Sequence, residues 1–118
     1  MRLAKRGVWM HITSESLTGR FGPNAKYWGE RMLDEGYVHI LATDAHGVRN
    51  RPPLLAEGQR AAEKWVGKEE ALRLVFERPR AIVDNTPPKQ VSPIPALATP
   101  DKNAQPGGLW RRLVRRRR

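Results

Sequence analysis

Asp44, His46, Arg49 and Arg51 lie in one short polar stretch, Thr43-Asp44-Ala45-His46-Gly47-Val48-Arg49-Asn50-Arg51. A carboxylate and an imidazole one residue apart can share a side of an extended backbone, because side chains alternate with a period of two. Such a pair can offer one oxygen and one nitrogen ligand to Mn²⁺, Fe or Zn²⁺. Two ligands do not complete a catalytic metal site, which needs further donors and a position for water. By spacing alone the plainer arrangement is favoured, with Asp44 capping a turn and His46 an ordinary loop histidine. A guanidinium grips phosphate oxygens bidentately and offsets charge in phosphoryl transfer, so Arg49 and Arg51 turn the stretch toward phosphate-ester chemistry. The plainer alternative is two exposed loop arginines.

What positions this stretch is the pattern on either side of it. Gly7 to Thr13 is rich in β-formers and reads as a strand buried on both faces. Ser14 to Pro23 carries two glycines and a proline and reads as a loop. Asn24 to Glu35 returns Tyr27, Trp28, Met32 and Leu33 at helical spacing, with Asn24 as cap and Gly36 as stop. Val38 to Thr43 is a second apolar strand. Strand, helix, strand with so long a crossover implies parallel pairing in an α/β sheet. Asp44 and His46 then fall at the carboxyl end of a parallel strand, where ligands of such sheets gather.

Beyond the loop, Pro52-Pro53 delays helix until Leu54. Leu54 to Val66 reads as helix, Gly67 punctuates it, and Lys68 to Glu77 forms a second helix stopped by Pro79, with Ala71, Leu72, Val75 and Phe76 on one face. Ala81-Ile82-Val83 ends the expected folded part at Asn85. Prolines 87, 88, 93, 95, 100 and 106 punctuate Thr86 to Gly108, which reads as disordered or polyproline-like. The domain division is thus a body over 1–85 and a Pro-rich linker with an Arg-rich tail over 86–118.

Composition narrows the chemistry further. The chain has 118 residues and no cysteine, which excludes disulfides, thiolate metal sites and Cys-nucleophile phosphatases. No stretch is apolar for long enough to span a bilayer and the start lacks a signal-peptide core, so a cytoplasmic location is expected. The net charge of +10 sits mainly in the tail: residues 1–85 hold 14 basic and 11 acidic residues (+3), and residues 86–118 hold 8 and 1 (+7). Leu109, Trp110, Leu113 and Val114 recur at helical spacing among six arginines. Trp110, Arg111, Arg112, Arg115 and Arg116 are therefore candidate contacts to an anionic membrane surface. A solvated charge run is the equal alternative, and nucleic acid, the other polyanion, is disfavoured by the lack of a binding motif in the body. His11 and His39 lie inside the two strands and read as packed histidines; Arg20 either approaches an anion or solvates its turn.

Taken in order, Ile12-Thr13 through Ser16-Leu17-Thr18-Gly19-Arg20-Phe21-Gly22, then Gly36-Tyr37-Val38-His39-Ile40-Leu41-Ala42-Thr43-Asp44-Ala45-His46, then Arg51-Pro52-Pro53, resemble the PHP-superfamily tyrosine phosphatases of capsular and exopolysaccharide loci. Gly67 and Glu77-Arg78-Pro79 continue the likeness, which covers roughly residues 6–85. The resemblance implies the C-terminal portion of a distorted TIM-like α/β barrel. It also implies a cluster of divalent metal ions, manganese foremost, activating water against phosphotyrosine.

It carries the family's late metal ligands onto Asp44 and His46 and its phosphate-handling, catalytic arginine onto Arg51. Thr43 and Gly47 stand where the family commonly has Ser and Asn. The implied partner is a phosphotyrosine protein, a membrane-associated tyrosine kinase controlling polysaccharide export, which sets the expected site of action at the inner face of the membrane.

The family's opening His-x-His pair has no counterpart here. The chain is accordingly expected to be one piece of an interrupted enzyme, or to depend on a partner polypeptide for the remaining barrel. Two other functions stay in view. One is another PHP phosphoesterase such as a histidinol-phosphate phosphatase, against which the Ser16 to Gly22 loop argues. The other is a noncatalytic basic adaptor binding membrane or nucleic acid through its tail.

Overall fold

A computed structural model describes residues 2–98. A short helix α1 (Arg2–Lys5) leads to strand β1 (His11–Thr13), which runs straight into helix α2 (Ser14–Thr18). Helix α3 (Pro23–Asp34) crosses to strand β2 (Ile40–Ala42). After the polar loop come helix α4 (Leu55–Leu72), a π turn (Arg73–Glu77), helix α5 (Arg78–Val83) and a 3₁₀ turn (Pro88–Gln90). β1 and β2 pair in parallel, His11 with Ile40, Ile12 with Leu41 and Thr13 with Ala42, as the strand, helix, strand order requires. Both strands are shorter than their apolar runs: the first run begins before β1, and the second extends past both ends of β2.

The core forms where this two-stranded sheet meets α3 and α4. Ile12, Leu17, Leu33, Val38, Leu41, Ala62, Ala71 and Leu74 are buried together, with Met32, Trp65, Val66 and Val75 packed around them. Pro23 at the start of α3 follows Gly22, whose φ of 87° turns the chain into the helix. Gly67, at φ 81°, interrupts α4 where punctuation was expected, kinking the helix so that both halves cover the sheet.

Several expectations are corrected. Ser14 to Thr18 is helical, a turn too short for its 3.6-residue period to show in sequence. Tyr27 and Trp28 are exposed, because the buried line of α3 runs through Gly29 and Leu33. On the later helix Leu72 and Phe76 also face outward while Ala71 and Leu74 are buried. Pro79 does not stop the helix but sits at the second position of α5, directly after the π turn that widens the backbone where its ring would clash.

The segment 86–98, read as structureless, packs against the body. Ile94 is buried, and the Ala96 N–H donates to the Gly36 carbonyl at 3.1 Å. A Cβ on Gly36 would lie 2.9 Å from the Ala96 nitrogen and 3.0 Å from Pro95 Cβ, so this glycine both ends α3 and seats the strap. The fully buried Arg78 ties the same strap down, donating to the carbonyls of Ser92 and Pro93 at 3.0 Å each and pairing with Glu70 at 2.7 Å. Proline content alone misleads here, since one apolar anchor and one buried cation supply what the segment's own pattern lacks.

Candidate functional site

The loop after β2 closes on itself. The His46 N–H donates to the Arg51 carbonyl at 3.2 Å, and Gly47 and Arg51 form an antiparallel bridge, leaving Val48, Arg49 and Asn50 at an exposed tip. Asp44 opens the loop with φ 51°, a left-handed conformation that aspartate tolerates better than most residues. This turn brings the chain back so that Arg51 Nη2 donates to Asp44 Oδ2 at 2.6 Å. The His46 ring lies 2.6 Å from the Asp44 carbonyl through Nδ1. A carbonyl only accepts, so Nδ1 carries a proton, and in the neutral ring Nε2 is the nitrogen with the lone pair. A backbone carbonyl fixing the far nitrogen in this way is how proteins orient histidines that ligate metals.

Asp44, His46 and Arg51 are thus brought together as the sequence reading expects, on the carboxyl side of the parallel sheet. Arg49 is not, because the bridge leaves it at the tip. Among the described residues no three His, Asp or Glu side chains converge as a metal cage. What Asp44 and His46 offer is a mixed oxygen and nitrogen donor pair, suited to a borderline divalent cation and insufficient by itself for four-coordination or more.

One site residue escaped the sequence. Glu15, on α2, is 3% exposed, and its carboxylate faces two guanidinium groups: Oε1 lies 3.7 Å from Arg20 Nη1 and Oε2 lies 3.8 Å from Arg51 Nε. The register explains the encounter. Thr13 pairs with Ala42, so Glu15 and Asp44 each stand two residues beyond a paired position and emerge at the same edge, with Arg51 between them. α2 reaches this place because α4 crosses it at Gly58; a Cβ there would lie 2.3 Å from Ser14 Cβ. Phe21 supports Arg51 from beneath, its ring centre 5.5 Å from the guanidinium carbon. The only signal of Glu15 in the sequence is an acidic residue two positions after a strand, which is too common to single out.

The two other histidines divide. His39 is buried, stacks on Trp9 at 5.2 Å, and accepts the Met10 N–H on Nδ1 at 3.0 Å. Burial first, and the nearby Arg78 charge second, hold its pKa below the ordinary histidine range. It is the packed histidine expected. His11, expected to pack likewise, is exposed at the start of β1, where its strand lies at the sheet edge. Arg20 is half-exposed beside Glu15. Trp110, Arg111, Arg112, Arg115 and Arg116 lie outside the described residues. No helix among the described residues is long and apolar enough to cross a membrane.

Comparison with known proteins matches residues 1–84 to the family model for capsular polysaccharide synthesis, CpsB/CapC. The chain belongs to the CpsB/CapC family. The tyrosine-protein phosphatase CpsB of Streptococcus agalactiae is 38% identical over 64% of this chain and 31% of its own length. The tyrosine-protein phosphatase YwqE of Bacillus subtilis is 36% identical over 57% and 26%. The crystal structures of YwqE from Bacillus subtilis and CpsB from Streptococcus pneumoniae, described as unique metal-dependent tyrosine phosphatases, include a chain that superposes with a TM-score of 0.65. That chain is 31% identical, and the match covers 71% of this chain and 34% of the other. This member of the CpsB/CapC family therefore spans about a third or less of the length of these relatives, and its α/β fold corresponds to part of theirs.

Proposed function

We propose that this chain carries the late metal ligands and the phosphate-gripping arginine of a metal-dependent protein-tyrosine phosphatase acting in capsular or exopolysaccharide synthesis. In this reading it is the C-terminal portion of a TIM-like PHP barrel. The observation that carries it is the Asp44, His46 and Arg51 constellation. A carboxylate, an imidazole with its outer nitrogen free and a guanidinium sit on one loop at the carboxyl end of a parallel strand, inside the region matched to the family. Asp44 and His46 would hold a divalent cation, manganese foremost, which supplies Lewis acidity toward water and phosphate. Arg51 would hold phosphate oxygens and balance their charge in transfer. The remaining metal ligands come from barrel segments outside this chain's 118 residues, and the substrate is a phosphotyrosine protein, with a membrane-associated tyrosine kinase as the proposed partner.

Two measurements test this. Mn²⁺ titration followed by electron paramagnetic resonance should show binding that the Asp44→Ala and His46→Ala variants each weaken by about tenfold or more. Mn²⁺ binding unchanged in both variants defeats the metal assignment. Phosphotyrosine-peptide hydrolysis, assayed with Mn²⁺ and a polypeptide supplying the missing barrel segments, should fall by about a hundredfold in Arg51→Ala. Activity that needs no metal, or that survives all three substitutions, defeats the site.

A further inference from the structure

Arg51 is shared unequally between two carboxylates. Its Nη2 is bonded to Asp44 at 2.6 Å, while its Nε faces Glu15 Oε2 at 3.8 Å, beyond hydrogen-bond range. Neither that nitrogen nor that oxygen has another hydrogen-bond partner, although both are buried. The second oxygen of the same carboxylate faces Arg20 Nη1 at 3.7 Å. One deeply buried carboxylate therefore lies between two guanidinium groups, one on each oxygen, and both guanidiniums are partly open to solvent on their other side.

A carboxylate buried to this degree is costly unless cations compensate it. It is placed here by packing, because Gly58 lets α4 press against Ser14 and fixes the start of α2. The two arginines come to it from different segments, Arg20 from the turn after α2 and Arg51 from the end of the loop after β2. Without a common anchor, two guanidiniums repel and spread. Held by one carboxylate they stay close to each other; Glu15 and Asp44 balance the two guanidiniums, so an oxyanion is taken up when Arg51 exchanges its bond to Asp44 for one to the incoming anion.

We propose that Arg20 and Arg51 form a two-guanidinium clamp for a phosphate monoester, with Glu15 as the positioning residue that sets the spacing between them. This rests on the phosphate-ester reading of Arg51 and adds to it a second phosphate contact and the group that aligns both.

The test uses the full 118-residue chain, labelled with ¹⁵N, titrated with inorganic phosphate while the arginine Nε–Hε signals are followed by NMR. Signals of Arg20 and Arg51 should shift together with one Kd. Arg20→Ala should weaken phosphate by about tenfold, the cost of one charge-assisted contact. Glu15→Gln should also weaken it, by about fivefold, although the change removes a negative charge and by charge alone would tighten an anion.

Glu15→Asp keeps the charge but withdraws the carboxylate by one methylene, and should weaken phosphate likewise; it serves if the glutamine variant does not fold. Phosphate bound as tightly or more tightly by the variants at position 15 overturns the positioning role. Unchanged affinity in Arg20→Ala overturns the clamp and leaves the assignment of Arg51 standing. Unchanged affinity in Arg51→Ala removes the phosphate reading itself.

Discussion

Arg78 and Arg51 have the same chemistry and opposite circumstances. Arg78 is fully buried and engaged through all three nitrogens: Glu70 at 2.7 Å, the Ser92 and Pro93 carbonyls at 3.0 Å, and the His39 carbonyl at 3.4 Å. Arg51 keeps about a third of its side chain in solvent, holds one short bond to Asp44, and leaves Nε without a hydrogen-bond partner. Arg78 has no face open to a ligand and instead fastens the 86–98 strap to the body. Arg51 can exchange its partner for an incoming oxyanion. Residual donor capacity, more than residue type, separates an arginine that holds a fold together from one that can do chemistry.

The contrast is broken most forcefully at its buried end. Arg78→Ala should lower stability by roughly 3–5 kcal/mol, because the buried Glu70 loses its close cation and keeps only the longer contact with Arg73 at 3.5 Å, and the strap loses its carbonyl contacts. Urea denaturation would measure this, and limited proteolysis should cut first within residues 86–98. Next comes Gly58→Ala, whose Cβ would meet Ser14 at 2.3 Å. It should cost roughly 1–3 kcal/mol and displace α2, so that Arg20 and Arg51 lose their common anchor together. A variant that kept both stability and phosphate affinity would show that the α2–α4 contact does not position Glu15.

A smaller effect should come from acid. The pKa of His39 is lowered in the folded chain, so the unfolded chain binds a proton more readily. His39 therefore contributes stability that is fully present above the ordinary histidine pKa of about 6.5. That stability is lost progressively as pH falls from there toward its lower folded-state value. Thermal melts between pH 8 and pH 5 should show this slope, and His39→Gln should flatten it. Smallest in stability is Arg51→Ala, about 1 kcal/mol or less, since its ion pairs are partly solvated and Arg20 still faces Glu15. Calorimetry should find it near wild type while phosphate binding is lost. A large loss of stability would mean that Arg51 resembles Arg78 more than its exposure suggests.

Much of the site was legible without coordinates because it is local. Asp44, His46 and Arg51 lie within one loop, and the apolar run before them announces the strand that presents them. Glu15 was not legible, since its importance comes from a register that aligns residues 15 and 44 across two strands. The same limit explains Tyr27 and Trp28, whose helical spacing was read correctly while the face α3 buries was set by α4 packing at Leu33. It also explains the strap, where a proline-rich segment with little apolar content is held by Ile94 and by Arg78, a cation that also reaches the His39 carbonyl 39 residues away.

What the sequence by itself determined is the strand, helix, strand order, the parallel pairing that follows from a long crossover, and the loop carrying a carboxylate, an imidazole and a guanidinium. Those are consequences of local pattern and of spacings within a few residues. Only the tertiary structure decided which arginine is buried and which is available, that residues 86–98 belong to the folded body, and that a buried glutamate stands between Arg20 and Arg51. These depend on contacts between residues far apart in sequence, where burial and the number of partners, invisible in residue identity, set what a charged group can do.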